Sequence, residues 1–177
     1  PPLLKGLTAI EYGESAALGY AGRLLADLGV AVTKIEPPGG DRTRSDGFVP
    51  PGADASCLFA YVNAGKRSVA VDLDSSPARK FFADLIRTAD VLIARLPLPV
   101  DEEQLLQENP RLVLVKITDD DESELCTCAR SGMPSITGQP DASPKVLGGH
   151  LVYGLVGLYV AIAASMGIFR RLSTGHG

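Results

Sequence analysis

Three common features are missing from this sequence: a basic stripe, a disulfide framework and a glycine-rich nucleotide-binding turn. The 177 residues carry 17 lysines and arginines against 21 aspartates and glutamates, for a net charge of −4. Because the basic residues are spread along the chain, no cationic surface that follows a nucleic-acid backbone is predicted. We therefore expect no nucleic-acid partner.

Cysteine is scarce, and its spacing supports neither disulfides nor a metal site. The three cysteines are Cys57, Cys126 and Cys128. An odd count in a chain with no apparent signal peptide favours a reducing compartment and predicts a cytoplasmic protein. Cys126 and Cys128 form a C-x-C pair with no second pair and no nearby histidine, so we expect no zinc or other metal.

Hydrophobic periodicity predicts strands that alternate with helices. Alternating or continuous apolar runs predict five strands, at 7–11, 30–36, 67–73, 90–96 and 111–117. Apolar residues at helical spacing predict three helices, within 13–30, after the turn 74–77, and at 101–109. This order predicts an α/β fold, a Rossmann-like parallel sheet flanked by helices, whose ligand edge is at the carboxyl ends of the strands. No G-x-G-x-x-G follows the first strand, so a dinucleotide site lacks its fingerprint. Residues 1–177 are expected to form one domain.

Three stretches between these elements are predicted to be irregular. Residues 37–54 begin with "PPGG", which cannot continue a strand. The segment "TDDDESE", 118–124, places five carboxylates in seven residues and is typical of a solvated loop. Residues 132–149 are rich in turn-forming residues.

The longest apolar run extends from Leu151 to Phe169 and is long enough for a membrane helix. Gly157, Ala161 and Ser165 recur every four residues, so one face of the helix carries only small side chains there and can pack closely against another element. Because the rest of the chain is typical of an α/β protein, we favour a long C-terminal helix buried in protein and expect no membrane partner.

Six segments occur in an order that resembles the family III CoA-transferases, the group that contains formyl-CoA transferase, carnitine CoA-transferase and α-methylacyl-CoA racemase. The segments are "LLADLGVAVTKIEPPGGDRTR", "NAGKRSVAVDL", "ADVLIARL", "NPRLVLVKIT", "ARSG…ITG" and "RRLSTGHG". The resemblance covers nearly the whole chain and implies a Rossmann-like large domain, coenzyme A or acyl-CoA as substrate, and CoA transfer from an acyl-CoA to a carboxylate. Members of the family also have a small domain, absent here, and form interlocked dimers. We therefore expect a homodimer or a partner CoA-transferase module.

The family's nucleophile is an aspartate that attacks the thioester carbonyl and forms an acyl anhydride and then an aspartyl-CoA thioester. It stands at the start of the long apolar helix, five residues after one glycine and four before another. Counting from Gly148 and back from Gly157 leads both times to Tyr153. A phenol cannot form the same readily reversed intermediates, so the resemblance implies a replaced nucleophile, as in a pseudoenzyme. The alternative, which we favour over a chemical role, is that Tyr153 is a packing residue at a helix start.

Some other positions match the family pattern and others depart from it. Glu124 falls where many members keep an acid beside the site, although a solvated acidic loop explains it equally well. Ser123 occupies the place of the racemase histidine, so racemase chemistry is not predicted. CoA contacts are implied for Ala17, Lys66, Arg67, Val71 and Arg95.

Two basic motifs are kept, "N-x-G-K-R-S" at Lys66 and Arg67 and "GD-x-T-R" at Asp41, Thr43 and Arg44. A cation in such a loop can bind a diphosphate or pair with Glu36 or Asp41. By default Val71 is a core residue.

Three functions are compatible with the sequence, and they differ in whether the chain is an enzyme. We rank first a degenerate, non-catalytic module of a larger or dimeric CoA-transferase. An active transferase that uses another carboxylate, such as Glu124, and an acyl-CoA binding or regulatory domain are the alternatives.

Overall fold

The five predicted strands form one parallel sheet in the computed structural model, which describes residues 2–118 and 123–177. The strands are β1 (Thr8–Tyr12), β2 (Ala31–Glu36), β3 (Arg67–Ala70), β4 (Val91–Arg95) and β5 (Val113–Ile117). They lie in the order β3-β2-β1-β4-β5, and every neighbouring pair is parallel. The predicted α/β architecture is confirmed.

Seven α-helices and one short 3-10 helix, Arg42–Ser45, connect and cover the strands in the described part of the chain. The α-helices are α1 (Ala16–Asp27), α2 (Cys57–Val62), α3 (Ser76–Arg87), α4 (Glu102–Glu108), α5 (Glu124–Arg130), α6 (Met133–Ile136) and α7 (Leu151–Thr174). Sequence analysis did not predict α2, α5 or α6, which are four to seven residues long and lie in segments without clear helical periodicity. Most of the predicted acidic loop, 119–122, lies outside the described residues.

Apolar side chains are buried on both faces of the sheet, because neighbouring strand residues point in opposite directions. Ala9 of β1 faces a cluster with α1 and α7, whereas the next residue, Ile10, faces a cluster with α3 and α4. In β4 the same alternation places Val91 and Ile93 on the first face and Leu92 on the second. Burial on both sides explains why β4 reads as a continuous apolar run.

Helix α7 packs against α1 through the small residues that the sequence repeats. A Cβ atom added to Gly157 would lie 2.5 Å from the carbonyl oxygen of Ala17, so only glycine permits this approach. The opposite face is exposed: Tyr159, Met166, Phe169 and Leu172 are each at least 67% accessible.

Within the described residues, α7 is therefore buried in protein on its inner face and exposed on its outer face. By length and hydropathy α7 could cross a membrane, and 33% of its most apolar window is buried. Length and composition alone do not separate a membrane span from a helix whose outer face is covered by further protein.

The α1–α7 contact generates a prediction for two glycines of the same helix. Gly157→Ala should lower the free energy of unfolding by about 1–3 kcal/mol, because the new methyl group overlaps backbone of α1. Gly154→Ala is the control: no atom lies within 4 Å of its added Cβ, and alanine should add up to about 1 kcal/mol. Urea denaturation of the two variants measures the difference, and equal stabilities would contradict the close approach.

Candidate functional site

A cleft of about 450 Å³ lies at the carboxyl ends of the first four strands. It is lined by the residues that follow each strand, including Gly13 after β1, Pro37 after β2, Val71 after β3 and Leu96 after β4. The chain reverses its direction of winding at β1, since β2 lies on one side of β1 and β4 on the other. Such a switch point is the usual ligand crevice of an open parallel sheet. We call it the edge cleft.

Carboxylates outnumber cations around the edge cleft. Glu14, Glu36, Asp72 and Asp74 line it together with Arg95. Burial, and then repulsion from Asp74 and Glu14, raises the pKa of Tyr12 above its usual value. The phenol of Tyr12 therefore stays protonated and available as a hydrogen-bond donor at the base of the cleft.

A buried ion network joins the same strands, but its residues do not line the edge cleft. Nζ of Lys34 lies 2.8 Å from Glu11 Oε1 and 2.6 Å from Asp41 Oδ2, and all three side chains are at most 2% exposed. Burial lowers the pKa of Lys34, but the two carboxylates outweigh that effect and raise the pKa. The ammonium therefore stays charged and joins β1, β2 and the loop after β2.

Lys66, predicted to contact CoA, belongs to this network. Its ammonium donates to Glu11 Oε2 at 2.7 Å, to the Gly19 carbonyl at 2.6 Å and to Asn63 Oδ1 at 2.8 Å. Burial lowers the pKa of Lys66, and attraction to Glu11 offsets only part of that effect. These bonds use all three donors of a lysine, so any contact with CoA would have to displace one of them.

The "GD-x-T-R" motif is explained by a second ion cluster, at Glu36. Arg44 makes a two-point contact with Glu36, from Nε to Oε2 at 2.7 Å and from Nη2 to Oε1 at 2.9 Å. Ser68 donates to Oε1, and the backbone N–H of Asp41 donates to Oε2. Burial raises the pKa of Glu36, but these hydrogen bonds outweigh it and lower the pKa to about 2. Of the two roles that the sequence left open for this cation, diphosphate binding and ion pairing, the structure shows Arg44 in an ion pair with Glu36.

The remaining predicted CoA residues lie in different settings. Val71 and Arg95 both line the edge cleft. Ala17 is buried in the first turn of α1, where its N–H is bonded to Ser15 Oγ, and Arg67 is exposed at the start of β3. The structure therefore brings two of the five together in one cleft.

A second group of polar side chains meets at the start of α7. Nδ1 of His150 lies 3.0 Å from Glu124 Oε2, and the N–H of Tyr153 donates to Glu124 Oε1 at 3.4 Å. The rings of His150 and Tyr153 are parallel within 6°, with centroids 6.0 Å apart. Tyr153 also separates two depressions, one of about 430 Å³ beside Ser15 and Arg42, and one of about 360 Å³ beside Tyr20.

The structure thus brings together two residues that the sequence placed in separate segments, Tyr153 and Glu124. Sequence analysis missed His150 as a site residue, and the only available signal was its place three residues before Tyr153. Among residues 2–118 and 123–177, no group of three or more histidine, cysteine or carboxylate side chains could hold a metal ion.

Comparison with known proteins gives a consistent result. A sequence model described as CoA-transferase family III matches residues 4–177. The chain is 32% identical to a succinate–glutarate CoA-transferase of Agrobacterium fabrum, covering 99% of this chain and 49% of that protein. It is 31% identical to an acetyl-CoA:oxalate CoA-transferase of Acetobacter aceti, with coverage of 97% and 48%.

Solved structures agree with the sequence matches. A CAIB/BAIF family protein from Brucella suis superposes with a TM-score of 0.89 at 31% identity, over 98% of this chain and 51% of that one. The chain therefore spans about half the length of the relatives it matches.

The Glu36 cluster predicts an acid-sensitive contribution to stability. Because the folded-state pKa, about 2, is below the ordinary value of 4.5, the contribution is complete above pH 4.5 and is lost as the pH falls toward 2. Arg44→Gln should therefore lose less stability than the unaltered chain between pH 6 and pH 3 in urea denaturation. The neighbouring exposed Arg42 provides the control: Arg42→Gln should keep the full pH dependence, and equal slopes for all three proteins would contradict the assignment.

Proposed function

The chain belongs to CoA-transferase family III, and from this premise we propose that it is a module that binds a CoA thioester but is degenerate for CoA transfer. Residues 1–177 would then be one large-domain portion of a larger or dimeric enzyme. The relatives named above act on acyl-CoA and dicarboxylates such as succinate, glutarate and oxalate. The same substrate class, an acyl-CoA and a carboxylic acid, is proposed here.

The identity of residue 153 carries this proposal. In the third position of α7, where the family resemblance expects an aspartate, the chain has a tyrosine. Transfer through an acyl anhydride requires a carboxylate nucleophile, and a phenol does not supply one. A carboxylate beside this position, that of Glu124, is already bonded to His150 and to the N–H of Tyr153.

A partner chain or module would supply the missing carboxylate. The exposed apolar face of α7, with Tyr159, Met166, Phe169 and Leu172, fits an environment in which further protein covers it. A homodimer or a partner CoA-transferase module is proposed accordingly. Free cysteines at 57, 126 and 128 fit the proposed cytoplasmic location.

A second candidate function, CoA transfer with Glu124 as nucleophile, is favoured by one observation. Oε1 of Glu124 lies 3.4 Å from the backbone nitrogen of Tyr153, so a carboxylate does stand beside the family's nucleophile position. Against it, this carboxylate reaches the site from α5 and not from α7. A displacement of about 1 Å in a reacting group can cost roughly 100-fold in rate.

Covalent labelling separates the two candidates. After incubation with acetyl-CoA and hydroxylamine, peptide mass spectrometry should find no modified carboxyl group in the unaltered 177-residue chain. Tyr153→Asp should become labelled at position 153, because it restores a carboxylate there, and Tyr153→Asn should not. Label on Glu124 of the unaltered chain would refute the degenerate module and support the second candidate.

Binding of CoA is tested by stability. At a CoA concentration of 100 times Kd, the free energy of unfolding should rise by about 2.7 kcal/mol. Val71→Asp should reduce this gain, since it adds a negative charge to the edge cleft opposite an anionic ligand. Val146→Asp, at a 60% exposed position outside the cleft, is the control and should keep the gain. A CoA concentration series without any thermal shift would argue against CoA binding.

A further inference from the structure

We propose that His150 and Glu124 form a general-base dyad that hydrolyses an acyl thioester bound in the depression beside α7. The "acyl pocket" is this depression of about 360 Å³, lined by His150, Tyr153 and the apolar side chains of Leu58, Leu155 and Leu158. The inference rests on the proposed binding of an acyl-CoA, but the reaction is hydrolysis and not CoA transfer.

The hydrogen bond to Glu124 sets the state of the imidazole. Nδ1 of His150 lies 3.0 Å from Glu124 Oε2, and an ionised carboxylate can only accept a hydrogen bond. The hydrogen is therefore on Nδ1, and in the neutral ring Nε2 carries the free lone pair. A carboxylate that orients histidine in this way makes the other ring nitrogen a general base.

The backbone of His150 is held in an uncommon conformation. Among the described residues it is the only non-glycine with a positive φ, at 57°. Such a conformation is unfavourable for a residue with a side chain and is found preferentially at functional sites. Here it places the ring between Glu124 and the parallel ring of Tyr153, and both contacts limit the ring's movement.

The surroundings of the dyad suit a thioester with an apolar acyl group. The walls contributed by Leu58, Leu155 and Leu158 can cover hydrocarbon, whereas the side chain of His150 is 40% exposed and accessible to water. The dyad also stands at the amino end of α7, a 24-residue helix whose dipole favours negative charge at that end. An oxyanion that develops there would be stabilised.

The reaction needs only water as co-reactant. The oxygen of a water molecule forms a bond to the thioester carbonyl carbon while Nε2 of His150 takes a proton from that water. The tetrahedral oxyanion then re-forms the carbonyl, the C–S bond breaks, and the leaving thiolate takes the proton from the imidazolium. The products are a carboxylic acid and a thiol, no group is oxidised or reduced, and the dyad returns to its starting state.

Hydrolysis in H₂¹⁸O, followed by mass spectrometry of the released acetate, tests the dyad in the 177-residue chain. The probes are acetyl-CoA and S-acetylpantetheine, which lacks the nucleotide and so does not depend on a nucleotide site. His150→Gly keeps the positive φ accessible and should slow hydrolysis about 100-fold, the lower end of typical general-base effects. Glu124→Gln should also slow it, and added imidazole should partly rescue His150→Gly. His176→Asn, which changes the other histidine, should leave the rate unchanged.

The outcomes separate this inference from the proposed function. Loss of ¹⁸O-acetate formation in His150→Gly, with rescue by imidazole, supports the dyad. The same result with S-acetylpantetheine supports the dyad even if CoA gives no thermal shift. A thermal shift with acetyl-CoA but no hydrolysis, or hydrolysis that His150→Gly does not slow, overturns the dyad and leaves the proposed function standing. Absence of both shift and hydrolysis overturns both. Incorporation of ¹⁸O into the Glu124 carboxyl group would identify Glu124 as a nucleophile and also overturn the dyad.

Discussion

The connection between β1, β2 and the loop after β2 depends on one buried ammonium, that of Lys34. It lies within 2.8 Å of Glu11 and 2.6 Å of Asp41, in surroundings where each charge would be strongly unfavourable alone. Glu11 also binds Lys66, so the network joins β1, β2, the start of β3 and the loop after β2. Helix α1 lies so close to this network that a Cβ atom on Gly22 would overlap Glu11 Oε2. A few charges thus link β1, β2, the residue before β3 and α1.

These ion pairs give both kept motifs a structural role within the chain itself. Lys66, Asp41 and Arg44 are all bonded to other side chains of the chain, and Glu36, the partner of Arg44, lines the edge cleft. Loss of any one would remove a bonding partner from a buried side chain, which costs more than loss of an exposed ion pair. The fold therefore uses these residues whether or not CoA also contacts them.

The start of α7 behaves differently, because there the local chemistry is not fixed by burial. Tyr153 and His150 stack at the rim of the acyl pocket, and Glu124 approaches from a separate helix. The side chains of His150 and Glu124 are partly exposed, at 40% and 23%. Their pairing therefore depends on how α5 meets the start of α7 and is not imposed by burial.

The sequence by itself determined the five strands, the α/β class and the family, because these depend on local periodicity and on ordered motifs. It also indicated the close-packed face of α7 through Gly157. Only the tertiary structure decided that Lys66 binds Glu11, that Glu36 binds Arg44, and that Glu124 meets His150. These pairs are separated by 55, 8 and 26 positions, and no pattern along the chain specifies which opposite charges will meet. The pairing follows from the crossing of strands and helices in space, where burial makes an unpaired charge too costly to keep.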